Sequence, residues 1–163
     1  MRTGYAGPDA PIVNQSLRVA TEQLLNADPE CRRQQAPALF ASLDPTYREL
    51  LVVRLLHQSR SKRAATARAA AASLADLGPA AVPVLVSKLF RARTAEGQIR
   101  LVELLGEIGG NVPPATRGGI QMDLLIALRR ARSEEVAAAI AATQQQLRRV
   151  DAEMSQERAA PAT

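Results

Sequence analysis

Residues 67–89 read ARAAAASLADLGPAAVPVLVSKL, and this stretch predicts two helices joined by one sharp turn. The run of alanines favours a closely packed first helix. Leu77-Gly78-Pro79 then interrupts it, because glycine is typical of helix ends and proline of helix starts. After the turn, apolar residues recur with the i, i+3, i+4, i+7 spacing of one helix face in Val82, Leu85, Val86 and Leu89. The stretch is therefore predicted to be a helical hairpin.

Two kinds of turn repeat on either side of this hairpin. One kind is LDP at 43–45, LGP at 77–79 and IGG at 108–110, with successive spacings of 34 and 31 residues. The other is SRSKR at 59–63, RARTAE at 91–96 and RARSEE at 130–135, in which Ser61, Thr94 and Ser133 are 33 and 39 residues apart. Alternating turns at this period are typical of stacked hairpins. We therefore predict an all-α protein, a right-handed α-solenoid of about eight helices.

The helix boundaries follow from capping residues and apolar stripes. Asp28-Pro29 and Asp44-Pro45 are predicted helix starts, while Pro37 is expected to kink its helix or divide it. LLVVRLL at 50–56 is apolar nearly all round and is expected to be packed on every side. The predicted helices are 12–26, 29–43, one from 45 that includes 50–56, 61–77, 80–91, 94–108, 119–131 and 133–157.

One domain is expected from the 163 residues, with disordered ends at 1–11 and 158–163. The helical-repeat domain spans 12–157, its most regular repeats lie at 62–131, and residues 133–157 form a capping helix. In that last helix one stripe is apolar, with Thr143 its single polar interruption, in Val136, Ile140, Leu147, Val150 and Met154. Gln144, Gln145, Arg148 and Arg149 are expected on the wet outer face.

The residues of the central hairpin also resemble a known repeat family. Residues 67–89 are similar to a HEAT repeat of the short kind found in phycobilisome-lyase-like proteins, with arginine before paired alanines, a Leu-Gly turn and an Ala-Val-Pro helix start. EGQIRLVELLGEIG at 96–109 resembles the same first-helix pattern, with Glu96 and Arg100 at its charged positions. The resemblance implies a HEAT-like fold, which hosts many unrelated activities.

Composition narrows the class of protein. Hydrophobic residues make up 47% of the chain and aromatic residues 2%, which favours helices rich in alanine and leucine. A single cysteine, no signal-like N-terminus and no apolar run of membrane-spanning length together predict a soluble, cytoplasmic protein. The net charge of +5 is concentrated in the middle, since residues 45–132 carry 14 basic and 6 acidic side chains.

Catalytic and metal-binding chemistry has little support in the sequence. The chain has one histidine, His57, predicted at a helix C-terminus, and one cysteine, Cys31, predicted near a helix start. No pair has metal-ligand spacing, so no metal site and no cofactor are predicted. Glu96 and Arg100 stand four residues apart on one helix face and are interpreted as a structural pair.

The repeated basic turns permit two interpretations. Serine or threonine caps a new helix, glutamate follows in its first turn, and arginine is favoured at the end of the previous helix. Helix capping and the helix dipole therefore explain much of the pattern. However, the LDP, LGP and IGG turns have no basic residue until Arg117. The alternative is a basic ridge along one edge of the solenoid that binds a partner, formed by Arg60, Lys62, Arg63, Lys88, Arg91, Arg93, Arg129, Arg130 and Arg132.

Three functional hypotheses follow, and the oligomeric state stays open. The first is a non-enzymatic adaptor that binds an acidic protein surface through the ridge. The second is binding of duplex DNA or RNA phosphates by the same ridge, against which stand the modest charge and the few aromatic residues. The third, allowed by the resemblance, is an enzyme for chromophore attachment or base excision. GGNVPPATRGG at 109–119 is interpreted as a flexible connector, or alternatively as an anion-binding loop with Arg117.

Overall fold

The computed structural model describes residues 10–159, with side-chain surroundings for residues 16–157, and this part of the chain is all-α. Its eight α-helices confirm the prediction of an all-α protein with about eight helices. A short 3-10 helix, Gly78–Ala81, joins the fourth helix to the fifth. In chain order the helices are α1 Ala10–Asn26, α2 Pro29–Ser42, α3 Pro45–Gln58, α4 Ala64–Asp76, α5 Val82–Arg91, α6 Ala95–Gly110, α7 Pro114–Arg130 and α8 Glu134–Ala159.

The chain forms two compact units, Met1–Leu74 and Ala75–Thr163. The division falls inside α4, near its last residues. The first unit therefore contains α1 to α3 with most of α4, and the second contains α5 to α8. The sequence does not reveal this division, because the helical pattern continues without interruption across Leu74.

The first unit is organised by α1, which packs against α2 and α3. Its helix starts are the predicted ones: the Asp28 carboxylate accepts hydrogen bonds from two N–H groups of α2, and Asp44 accepts one from the Thr46 N–H. A hydroxyl joins α4 to α1, because Ser73 Oγ donates to the Leu24 carbonyl at 3.2 Å. The buried apolar side chains of the first unit are Leu17, Ala20, Leu24, Ala36, Phe40, Leu51, Val52, Leu55, Ala70 and Leu74.

The end of α2 is held by an arginine from α3. Helix α2 runs through Pro37 as one element, so the predicted division into two pieces does not occur. Nε of Arg48 donates to the Phe40 carbonyl at 3.0 Å, and its guanidinium lies 5.8 Å from the centre of the Phe40 ring. A second hydrogen bond runs from Arg48 to the Ala41 carbonyl. Arg48 thus adds side-chain donors at the end of α2, where the Phe40 carbonyl also accepts from the Leu43 N–H at 3.2 Å.

Helix α3 is not packed on every side, so that expectation for residues 50–56 is wrong. Leu51, Val52 and Leu55 are fully buried, whereas Leu50 and Val53 remain 41% and 43% exposed. The physical reason is that packing covers the face of α3 that carries Leu51, Val52 and Leu55. The face that carries Leu50 and Val53 stays open to solvent. An apolar composition all round a helix indicates that its faces can be buried, not that each one is.

The second unit is built around α6, which packs most extensively against α8 and also contacts α5 and α7. The predicted stripe of α5 is confirmed, with Val82, Leu85 and Leu89 buried. In the predicted stripe of α8, Val136, Ile140 and Leu147 are buried, whereas Val150 and Met154 are half-buried. Gln144 is a correction: it is only 8% exposed, and its Nε2 donates to the Gln121 carbonyl at 3.4 Å instead of facing water.

Two glycines of α6 allow α8 to approach closely. A Cβ at Gly106 would lie 2.8 Å from Thr143 Cγ2, and one at Gly109 would lie 2.8 Å from Leu147 Cδ2. Real Cβ atoms essentially never make contacts this short, so an alanine at either position would force Thr143 or Leu147 to shift. Thr143, the polar interruption of the α8 stripe, is therefore the residue that faces Gly106.

The glycine of the LGP turn has a backbone reason of its own. Gly78 has φ 70°, the left-handed region that side-chain-bearing residues rarely adopt. Pro79 then stands at the start of the 3-10 helix, where its missing N–H costs nothing. The sharp turn predicted at 77–79 is confirmed.

The predicted long connection at 109–119 is mostly helical. Helix α6 continues through Gly110 and α7 begins at Pro114, so only residues 111–113 lie between the two helices. The flexible-connector interpretation is wrong because Pro114 supplies a helix start, and Gly118 and Gly119 are tolerated inside α7. Helix propensity disfavours such glycines by only about 1 kcal/mol each, which tertiary packing can offset.

The ends of the chain lie partly outside the described residues. Helix α1 begins at Ala10, and α8 continues through Ala159, so the predicted disordered ends are wrong for residues 10–11 and 158–159. The remainder of those two predicted segments, residues 1–9 and 160–163, falls outside the described part of the chain.

Three carboxylates near the middle of the second unit lead to a prediction about pH. Partial burial raises the pKa of Glu107, and the negative charges of Glu103 and Asp76 raise it further. The folded state then holds the proton of Glu107 more tightly than the unfolded state does. The contribution of Glu107 to stability should therefore be fully present below the ordinary pKa of 4.5 and should be lost as pH rises through the raised pKa.

Glu107→Gln removes this charge and should unfold at a higher temperature than the wild type at neutral pH. The difference should shrink towards zero as the pH falls below about 4.5, since Glu107 is then protonated in both states. Thermal unfolding followed by circular dichroism at a series of pH values measures it. Glu153→Gln, at an exposed position of α8, is the control for loss of one negative charge. An equal gain in both variants would contradict the assignment to Glu107.

Candidate functional site

The two clearest copies of the repeated basic turn have the same local structure. In each, an arginine ends a helix, an alanine is the C-cap, a second arginine follows, and serine or threonine precedes the next helix. Ala92 has φ −64° and ψ 131°, and Ala131 has φ −62° and ψ 127°. Thr94 Oγ1 accepts from the Gly97 N–H at 3.2 Å, which confirms it as the N-cap of α6. Ser133 occupies the corresponding position before α8. The sequence repeat is therefore also a structural repeat.

The third copy, SRSKR at 59–63, forms a different turn. Ser59 at the end of α3 stays in the right-handed helical region, with φ −66° and ψ −12°. Ser61 Oγ accepts from the Arg63 N–H at 3.2 Å, and α4 begins only at Ala64. Ser61 is thus not the N-cap of α4, which corrects the prediction. The extra residues tighten into a local side-chain turn before the helix starts.

The two equivalent turns line one groove of the second unit. Its volume is about 770 Å³, and its walls are the C-terminal ends of α5 and α7 and the first turns of α6 and α8. Four arginines of the predicted ridge, Arg91, Arg93, Arg130 and Arg132, contribute to its lining, and all four are exposed. The deep part of the groove is apolar and is formed by Leu89, Ala127, Val136 and Ile140.

The groove has a strongly one-sided charge. Four guanidinium groups line it, and the lining contains no carboxylate. The side chain of Gln98 is used internally, since its Nε2 donates to the Ala92 carbonyl at 3.3 Å. Glu96, Glu134 and Glu135 follow the turns but lie outside the lining. An anionic group entering the groove would therefore meet positive charge without a competing internal partner on its wall.

A single aromatic ring connects the apolar and basic parts of the groove. Phe90, at the end of α5, is 38% exposed, and the guanidinium of Arg130 lies 5.1 Å from the centre of its ring. Such cation–π contacts are worth about 0.5–1 kcal/mol at exposed sites. The contact positions the Arg130 side chain of α7 over the end of α5. Sequence reasoning missed Phe90, although it immediately follows the buried stripe of α5 and precedes the first basic turn.

The other predicted ridge residues are placed separately from this groove. Arg60, Lys62 and Arg63 belong to the first unit, where all three are exposed around the third turn. In the second unit, Arg129 is exposed and Lys88 is half-buried, and neither contributes to the groove lining. Four of the nine predicted ridge residues are thus brought together by the described structure of one unit.

Arg117, the suggested anion-binding residue of the 109–119 segment, is a structural residue. It is only 1% exposed. Its Nε donates to the Gly109 carbonyl at 2.8 Å, one terminal nitrogen donates to the Val112 carbonyl at 2.9 Å, and the other is paired with Asp151 of α8. The Arg117 guanidinium therefore joins the end of α6 to α7 and α8. It is not presented to a ligand, because its donors point into the unit.

The residues considered for catalysis do not form a cluster. His57 is exposed in the last turn of α3, and Cys31 is a half-buried free thiol in the first turn of α2. Among residues 10–159, no group of three or more His, Cys, Asp or Glu side chains is arranged to hold a metal ion. Glu96 is exposed and Arg100 is half-buried on α6.

Comparison with protein-family models, with curated protein sequences and with solved structures finds no match to this chain. No individual helix in the described range has both the length and the apolar content to cross a bilayer. The segments Ala64–Asp76 and Gly78–Arg91 meet both criteria only when counted together, and they are bent by 98° relative to each other.

Proposed function

We propose that this protein is a non-enzymatic, HEAT-like helical-repeat adaptor that binds an acidic surface of another protein through its inter-repeat turns. In this proposal the hairpins stack as a right-handed solenoid, and the protein acts in the cytoplasm. The observation that carries the proposal is the groove of the second unit, where two equivalent turns present four exposed arginines and no carboxylate. Helix capping accounts for the serine and threonine of these turns, but it does not require two arginines on each.

Binding rather than catalysis suits the chemistry of this groove. Its lining holds guanidinium, amide, hydroxyl and apolar groups, none of which is an effective general base at neutral pH. Guanidinium groups, by contrast, form paired hydrogen bonds with carboxylates and phosphates. Acidic proteins present carboxylates, and nucleic acids present phosphates. The apolar depth of the groove favours protein, since a duplex presents an outer surface of sugars and phosphates.

The test compares a labelled acidic peptide with a labelled DNA duplex by fluorescence anisotropy at several salt concentrations. Arg93→Glu/Arg132→Glu should weaken binding of the acidic peptide at least about tenfold at low salt, because two attractive charges become repulsive. Arg148→Glu/Arg149→Glu is the matched control, with the same change in net charge at exposed positions of α8. It should change the affinity by less than about twofold.

The same titration decides between the partners. If the duplex bound more tightly, and the logarithm of its binding constant fell with the logarithm of salt concentration by about 0.9 per phosphate neutralised, the adaptor proposal would be wrong. The protein would then be a phosphate-binding protein. Equal losses in the two double variants would show that only net charge matters, and the proposed site would then be wrong.

A further inference from the structure

The groove of the second unit combines two surfaces with different chemical preferences. Its edges carry the four guanidinium groups, and its depth is formed by apolar side chains. Phe90 lines the same groove beside Arg130 and is 38% exposed, in a chain whose aromatic content is 2%. A partner that supplied only negative charge would leave the Phe90 ring in contact with water. The apolar part of the groove therefore indicates a second component of the ligand.

We infer that the groove binds an acidic segment of a partner protein in which one large apolar side chain is flanked by carboxylates. The apolar side chain would contact the Phe90 ring and the alanines of the two turns, Ala92 and Ala131. The flanking carboxylates would pair with Arg93 on one turn and Arg132 on the other. This inference rests on the proposed function and specifies which acidic surface the adaptor recognises.

The size of the groove supports a short segment as its occupant. About 770 Å³ is within the roughly 300–1,000 Å³ of ligand-binding clefts, so a few residues can enter. Burial of the exposed part of Phe90 adds a favourable term that does not depend on salt. The arginines contribute attraction and orientation, which salt screens. The two components can therefore be separated by experiment.

The contact between Arg130 and Phe90 makes the two components adjacent. Because the Arg130 guanidinium lies 5.1 Å from the ring centre, it adds positive charge directly beside the apolar contact. An acidic residue beside the apolar anchor in the partner's sequence meets this arrangement. We expect recognition of the residue order, acidic–apolar–acidic, and not of charge alone.

The experiment uses two labelled peptides of equal length and charge, which differ only in a central phenylalanine or serine between glutamates. The wild-type protein should bind the phenylalanine peptide about tenfold more tightly, as burial of one large apolar side chain allows. Phe90→Ala should abolish this preference while leaving the affinity for the serine peptide within about twofold. Met122→Ala is the control, since Met122 is 58% exposed on α7 and lies outside the groove.

The outcomes separate this inference from the proposed function. One outcome is that both peptides bind equally to the wild type while Arg93→Glu/Arg132→Glu weakens the binding of both. The proposed adaptor function is then supported, and the inference that the groove recognises an apolar side chain is wrong. If neither peptide responds to that double variant, the proposed function fails first. The comparison of the two peptides on the wild type needs no variant to fold, so it decides the inference even if Phe90→Ala is unstable. Retention of the preference in a folded Phe90→Ala variant would also overturn it.

Discussion

Arg117→Met should destabilise the second unit by about 3 kcal/mol, because two carbonyl groups in a buried position lose the guanidinium that donates to them. These are the carbonyls of Gly109 and Val112, and the Arg117 side chain that serves them is 1% exposed. The substitution also leaves Asp151 with Gln121 Nε2, at 3.0 Å, as its remaining partner in this network. Urea unfolding gives the free energy, and hydrogen exchange of α6 to α8 locates the loss.

Two further variants separate burial from charge. Arg148→Met removes an exposed arginine of α8 and should change the free energy of unfolding by no more than about 0.5 kcal/mol. Asp151→Asn should cost about 1 kcal/mol, less than Arg117→Met, because its amide oxygen can still accept from Arg117 and the Asp151 side chain is 39% exposed. Equal effects of Arg117→Met and Arg148→Met would refute the structural role of Arg117.

Gly106→Ala should lower the free energy of unfolding by about 1–2 kcal/mol, although alanine is the better helix former. The new Cβ would lie 2.8 Å from Thr143 Cγ2. Thr143 is stiff about χ1, and its side chain is buried in the same interface, so α6 and α8 must move apart. Denaturant unfolding of the purified variant measures the loss.

The matched control for Gly106→Ala is Gly118→Ala in α7. A Cβ at Gly118 meets no atom within 4 Å, so the substitution should raise stability by about 0.5–1 kcal/mol through helix propensity alone. Gly106→Ala/Thr143→Ser removes the methyl group that clashes and should recover part of the loss. Stabilisation by both single alanine substitutions would mean that α6 and α8 are not in close contact at Gly106.

Much of the secondary structure could be predicted because its causes lie within a few residues of one another. Asp28, Asp44 and Thr94 cap the helices they were expected to cap, and Gly78 makes the turn it was expected to make. The predicted secondary structure was wrong where tertiary packing outweighed a local sequence preference. Gly118 and Gly119 suggested a loop, yet they lie inside α7, whose buried face is Arg117, Ile120, Leu124 and Ala127.

The candidate site could be predicted in part. The repeat of RARTAE as RARSEE identified the two turns, and their arginines do line one groove. The sequence could not show that SRSKR forms a different turn, in which Ser61 Oγ accepts from the Arg63 N–H and α4 begins only at Ala64. Nor could it show that Phe90 is exposed, because an aromatic residue beside a buried stripe can face either way around the helix.

By itself the sequence determined the all-α class, the helix caps, the turn at Gly78 and the repeated basic turns. These depend on short-range hydrogen bonds and on the helical period, which the order of residues specifies directly. Tertiary structure alone decided that Arg117 is buried, that Thr143 faces Gly106, and that four arginines surround an apolar groove. Those features depend on which helix faces meet. The same local sequence pattern is compatible with other helix packings, and the packing of α6 against α7 and α8 decides among them.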